Sequence, residues 1–137
     1  MPNAPFKTSL IGINVVTTYL PSHSSPDEDH YTFAYTITIS NASDSPVQLL
    51  SRHWVITDAN NEVQEVRGEG VVGEQPVIPP GDSFRYTSGA SLETPVGFME
   101  GSYFMVVRDP MEVPPEDLPT FEVPIPAFTL HTPTALN

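Results

Sequence analysis

The chain has 137 residues, a length typical of one domain spanning 1–137, and its 39% hydrophobic content supplies a single continuous core. Seventeen Asp and Glu against five Lys and Arg give a formal net charge of −12, which repels nucleic acid and anionic lipid and argues against direct binding to either. No cysteine is present, which excludes disulfides, a thiolate nucleophile and cysteine-ligated zinc, and suits a reducing cytoplasm.

Sixteen prolines and eight glycines cut the chain into short segments rich in Val, Ile, Thr, Phe and Tyr, the punctuation of an all-β protein. Leu10–Tyr19 is the first predicted strand: Asn14 and Thr17-Thr18 interrupt its apolar run and no small-residue cleavage site follows, unlike a leader peptide. No apolar run approaches the roughly 20 residues of a membrane helix. Ser22–His30 is polar and acidic and reads as a loop. In Tyr31–Asn41, Tyr31, Phe33, Tyr35, Ile37 and Ile39 alternate with Thr32, Ala34, Thr36, Thr38 and Ser40, so one face is core and the other faces solvent. Asn41-Ala42-Ser43 matches a glycosylation sequon but reads as the end of that strand.

Val47–Asp58 and Val63–Arg67 form a predicted hairpin around the turn Ala59-Asn60-Asn61. Further strands are expected at Ser83–Ser91, Gly101–Arg108 and Phe121–His131, with Asp109–Pro119 as a proline-rich acidic loop. Pro124 and Pro126 confine the last run to an edge, a bulge or a strand switch. About seven strands in this length predict a two-sheet antiparallel β-sandwich of immunoglobulin or fibronectin type III kind. Trp54 belongs in its inter-sheet core, against the alternating residues of Tyr31–Ile39.

Gly68-Glu69-Gly70-Val71-Val72-Gly73-Glu74-Gln75-Pro76 contains the G-x-G-x-x-G spacing of dinucleotide-binding folds. A phosphate cradle of that type opens a helix whose N-terminal amides hold the pyrophosphate. Here Pro76 and Pro79-Pro80-Gly81 block a helix, and Glu69 and Glu74 would confront the phosphate with carboxylates. The segment is therefore read as a tight, exposed crossover between two strands, with positive φ at one or more of Gly68, Gly70 and Gly73. Glu69 and Glu74 then point outward as partner-facing charges, and the loop carries recognition of a protein partner. Arg52 either joins that surface or pairs with an acidic neighbour. The alternative keeps Gly68, Gly70 and Gly73 as amide donors to a nucleotide, with a bridging divalent cation offsetting the two glutamates.

His23, His30, His53 and His131 lack any metal-ligand spacing, so no dedicated transition-metal site and no resident cofactor are assigned. Asp27-Glu28-Asp29 with His30 is the best local group for weak binding of magnesium or cobalt, but it reads first as a solvated acidic loop. No G-x-S-x-G elbow occurs and no histidine is tied in sequence to a serine and an acid, so no catalytic residue is assigned.

Arg52-His53-Trp54-Val55-Ile56-Thr57-Asp58 followed by the Gly68–Pro76 string closely resembles the bacterial ApaG family. Ser25-Pro26-Asp27, Phe33-Ala34-Tyr35, Pro80-Gly81 and Phe84-Arg85-Tyr86-Thr87-Ser88-Gly89 extend the resemblance. So do Met99-Glu100-Gly101-Ser102-Tyr103-Phe104-Met105, Val123-Pro124-Ile125-Pro126-Ala127-Phe128 and Leu136-Asn137. The chain departs from the family at Asn60-Asn61, where Asn-Gly is usual, and in a longer, more proline-rich stretch from Arg108 to Thr120. The resemblance implies a fibronectin type III-like sandwich, an association with cobalt and magnesium resistance, and a gene neighbourhood of diadenosine tetraphosphate hydrolysis. Similar domains in eukaryotic F-box proteins and a polymerase-delta-interacting protein imply use as a protein-interaction module.

Overall fold

A computed structural model describes residues 6–134, so the closing Leu136-Asn137 of the family resemblance lies outside the described residues. The strands are β1 (Ile11–Tyr19), β2 (Tyr31–Asn41), β3 (Val47–Asp58), β4 (Val63–Glu69), β5 (Val77–Ile78), β6 (Ser83–Leu92), β7 (Val96–Val107) and β8 (Thr120–His131). They form two antiparallel sheets, ordered β1-β2-β6 and β4-β3-β7-β8, with β5 also paired to β3. The two sheets make the expected sandwich. Among the described residues no helix is long and apolar enough to cross a membrane.

The alternation of β2 sets the core. Phe33, Tyr35, Ile37 and Ile39 are buried, while the intervening hydroxyls pair with β6 on the outer face: Thr32 with Ser91 (3.1 Å), Thr36 with Thr87 (2.8 Å), Ser40 with Ser83 (3.0 Å). From the opposite sheet β3 contributes Leu49, Trp54 and Ile56. Trp54 is 2% exposed and meets Tyr35, Phe128 and Tyr103 edge-on, with ring centroids 5.4, 5.8 and 6.3 Å away. The indole thus occupies the inter-sheet position expected of it.

The largest boundary correction concerns β7, which begins at Val96 rather than Gly101. Gly97 and Gly101 do not end a strand; they let two strands approach closely. A Cβ on Gly101 would lie 2.0 Å from the carbonyl oxygen of His53, and one on Gly97 2.6 Å from that of Thr57. β1 starts one residue later than expected, β4 runs on to Glu69 rather than stopping at Arg67, β6 reaches Leu92, β7 stops at Val107, and β8 opens at Thr120. The two prolines of β8 sit on the outer strand of its sheet. Met99 pairs with Phe128 and Gly101 with Ile125, so Pro126 and Ala127 together oppose Glu100 in a bulge.

Asn41 of the sequon is buried, donating from Nδ2 to the carbonyls of Ser45 (2.8 Å) and Ile78 (2.9 Å) and accepting from Ser43. It fastens the end of β2 to β5. The turn between β3 and β4 is built as predicted: Asn61 has φ 64°, and Asp58 Oδ1 accepts the backbone N–H groups of Asn60 (2.8 Å) and Glu62 (3.0 Å).

Candidate functional site

The glycine segment is not a crossover. Glu69 pairs with Ser51 and Val77 with Gln48, so β4 and β5 lie in line along the same edge of β3, and the chain between them makes an excursion from that edge. Transfer to the other sheet comes later, through Pro79-Pro80-Gly81, where Gly81 has φ 80° and donates to the Asn41 carbonyl at 2.7 Å. The excursion is a miniature hairpin. Val71 and Glu74 exchange both backbone hydrogen bonds (2.8 and 2.9 Å), and the two residues between them, Val72 and Gly73, have φ 44° and 81°. Positive φ at both central positions is the signature of a type I′ turn.

The ladder of β3 opens to receive it. Pairing with β7 shifts between Leu49 and Ser51, leaving Leu50 in a bulge. The Leu50 carbonyl accepts from Gly70 N–H at 2.7 Å and from Gln75 Nε2 at 2.9 Å, while Leu49 N–H donates to the Pro76 carbonyl at 3.1 Å.

Each fingerprint glycine has its own physical reason. A Cβ on Gly68 would come 2.8 Å from the Arg52 guanidinium; one on Gly70, at φ 64°, would lie 2.2 Å from the Glu74 carbonyl oxygen. Gly73 has open space around it but needs its left-handed backbone. Positive φ is therefore found at Gly70 and Gly73, as the spacing suggested. The expected full exposure is corrected: Val71 is 1% exposed and belongs to the core, and Gly70 is buried with it. Glu69, Val72, Gly73, Glu74 and Gln75 remain outside. The apolar Val71 plugs the hairpin into the sandwich.

Arg52 and Trp54 alternate on the inner face of β3. The Arg52 Nη1 donates to the carbonyls of Glu69 (3.1 Å) and Gly70 (2.8 Å), clamping the hairpin's first arm. The acidic neighbour considered from sequence is not its partner. Among the described residues, no carboxylate lies within 4.0 Å of its guanidinium, and the carboxylate of Glu65 instead meets His53 Nε2 at 3.1 Å.

Between the hairpin and the sheets lies a cleft of about 240 Å³, bordered by Val71, Val72 and Gly73 on one side and by Tyr35, Tyr86 and Ser88 on the other. Arg52, Trp54 and Glu69 complete it. Trp54 Nε1–H is buried and has no hydrogen-bond partner. Tyr86 and Tyr103 share a hydrogen bond between their hydroxyls, and burial pushes both phenols well above the ordinary tyrosine range. Burial also raises Tyr35, opposed by the Ser88 hydroxyl and the Arg52 charge. All three phenols stay neutral at physiological pH, so they present hydroxyls rather than negative charge.

Elsewhere, Asp27, Glu28, Asp29 and His30 are exposed around a single 3₁₀ turn and do not converge. The carboxylates that do converge are Asp58, Glu62 and Glu93, with oxygens within 4.8 Å of one another. Three such oxygens suit a hard cation. Sequence reading missed this group because Glu93 arrives from the turn after β6, although Asp58 already has a structural task in its own turn. On the outer face, Ser102 is the strand neighbour of His53, but its Oγ donates to Glu122 at 2.5 Å.

A family model described as the ApaG domain matches residues 21–107. The Protein ApaG of Ralstonia nicotianae is 55% identical over 125 residues, covering 91% of this chain and 94% of that one. That of Dechloromonas aromatica is 53% identical over 127 residues, covering 93% and 94%. A Bordetella pertussis crystal structure, 46% identical, superposes with a TM-score of 0.81 and covers 91% of this chain and 95% of that one.

Proposed function

Since the chain belongs to the ApaG domain family, we propose that it is a non-catalytic cytoplasmic interaction module that reads a protein partner with the glycine hairpin and the adjoining end of β4. The observation that carries this reading is the construction of the hairpin. Two clamped arms hold a valine at φ 44° on an exposed tip, a conformation that a β-branched residue adopts only when its surroundings impose it. Such imposed geometry is concentrated where a surface must keep one shape. Glu69 and Glu74 flank the tip as exposed charges and give it a basic complement to select. The family association with cobalt and magnesium resistance then belongs to the partner's process.

The nucleotide alternative has less support. Gly70 N–H is already donated to the Leu50 carbonyl, and a strand rather than a helix follows the fingerprint. Affinity capture followed by NMR mapping with the captured partner tests the proposal. Amide shifts concentrated on residues 69–74 are expected. Shifts confined to another face, or calorimetric binding of ATP or diadenosine tetraphosphate at about micromolar affinity in chelator-treated buffer, would overturn it.

A further inference from the structure

Three independent features of the cleft under the hairpin point to the same missing group. The first is Arg52, a half-buried guanidinium in a chain with 17 carboxylates, none of which pairs with it among the described residues. Its Nη1 is occupied by two carbonyls, which orient the fork without neutralising it. Buried or half-buried charge is ordinarily matched by an opposite charge. The second is Trp54, whose Nε1–H is buried without an acceptor although the residue lines the cleft. Orphaned donors of this kind are rare in folded proteins. The third is the rest of the lining: Ser88 and Tyr35 bring further hydroxyl groups, and the phenols resist ionisation, so the lining's one acidic side chain is the exposed Glu69.

We propose that this cleft is a carboxylate-binding site, in which a planar carboxylate lies against the Arg52 fork and, as the lining yields enough to uncover it, accepts from Trp54 Nε1–H, with Val71, Val72 and Tyr86 enclosing the carbon attached to it. Arg and carboxylate match as planar, forked groups. A phosphate is the poorer fit: it brings up to two negative charges beside Glu69 in a chain of net charge −12. The volume of about 240 Å³ falls below the roughly 300–1,000 Å³ of whole small-molecule sites, so the cleft takes a fragment. A partner's chain-terminal or side-chain carboxylate and a small free acid share this chemistry. The proposal deepens the interaction-module reading, on which it rests for the biological source of the carboxylate; the chemistry of the cleft stands apart from it.

The chain has a single tryptophan, so one indole N–H resonance reports the site without ambiguity. The full chain is titrated, at constant ionic strength, with acetate, benzoate, inorganic phosphate, ATP, and a short peptide with a free or an amidated C-terminus. A saturable shift of the indole resonance with the monocarboxylates and not with chloride is expected. Peptide binding that is lost on amidation identifies a chain terminus as the source; benzoate binding without peptide binding identifies a free acid. Arg52→Lys keeps a positive charge without the fork and should weaken benzoate binding at least about tenfold while the remaining spectrum stays folded. Gly68→Ala, which pushes the guanidinium aside, should do the same. No saturable indole shift with any carboxylate up to about 10 mM, tenfold weaker than millimolar binding, overturns the proposal. A shift with phosphate or ATP alone overturns it as well. If carboxylates fail but a captured partner still maps to residues 69–74, the cleft assignment falls and the interaction module survives.

Discussion

Arg52 holds the glycine hairpin and Arg108 holds the proline-rich segment from Asp109 to Pro119, and both do so by donating to backbone carbonyls rather than by pairing with acids. Arg108 is 8% exposed; its Nη1 donates to the Val113 carbonyl and its Nη2 to that of Met111 at 2.8 Å. The two loops take their shapes from opposite sources. Prolines restrict the segment after β7 before it folds, whereas the hairpin after β4 depends on residues that can take positive φ. Their arginines consequently do different work. Arg108 is enclosed by the loop it supports, while Arg52 supports its loop from one side and faces a cleft on the other. A guanidinium bound to carbonyls keeps its charge, so only the second arrangement leaves that charge available to something else.

The comparison is tested most severely at Gly70. Gly70→Ala imposes a left-handed alanine, worth roughly 1–3 kcal/mol, and a collision with the Glu74 carbonyl comparable to overpacking, roughly another 1–3. A loss of about 2 to 6 kcal/mol in chemical denaturation is expected. A loss below about 1 kcal/mol would mean that the hairpin is shaped by something other than its glycines.

Removing the two arginines should separate the loops next. Arg108→Ala strips donors from two part-buried carbonyls at roughly 1–3 kcal/mol each, so about 2 to 6 kcal/mol should be lost. Arg52→Ala strips one exposed and one part-buried carbonyl, and a smaller loss of about 1 to 2 kcal/mol is expected. Equal losses would erase the distinction between an enclosed and an open clamp.

How much of this was legible beforehand follows the same division. Strand β2 and the core position of Trp54 could be read because alternation and side-chain size act locally along the chain. The G-x-G-x-x-G string was legible as a backbone device but not as a hairpin, since that shape depends on the Leu50 bulge in a strand nearly twenty residues earlier. Arg52 could be suspected but not placed, because its partners are carbonyls and every residue has one. The start of β7 at Val96 rather than Gly101 was not legible for a related reason: whether a glycine ends a strand or admits a neighbouring backbone is decided by the facing strand. Glu93 was invisible beside Asp58 and Glu62 because only the fold brings them together.

Val72 gives a smaller effect of opposite sign. Asparagine tolerates left-handed backbone far better than valine, and Val72 is 53% exposed with little packing to lose. Val72→Asn should raise stability by about 1 kcal/mol, read as a higher denaturation midpoint at unchanged m-value. A destabilised variant would show that the valine side chain, not the turn geometry, holds the tip.

The smallest effect on stability should come from the charges themselves. Glu69 and Glu74 are exposed and form no ion pair among the described residues, so reversing both to lysine should move stability by no more than about 0.5 kcal/mol. Any partner affinity should respond strongly, because rim charges act on association through electrostatic complementarity and fade as salt is added. The Glu69→Lys, Glu74→Lys variant should therefore melt with the parent yet bind a captured partner more weakly at low salt, with the difference shrinking as ionic strength rises. A salt-independent loss would point to altered hairpin shape instead of charge. An unchanged affinity would move recognition off this rim and leave the hairpin as a structural plug held by Val71.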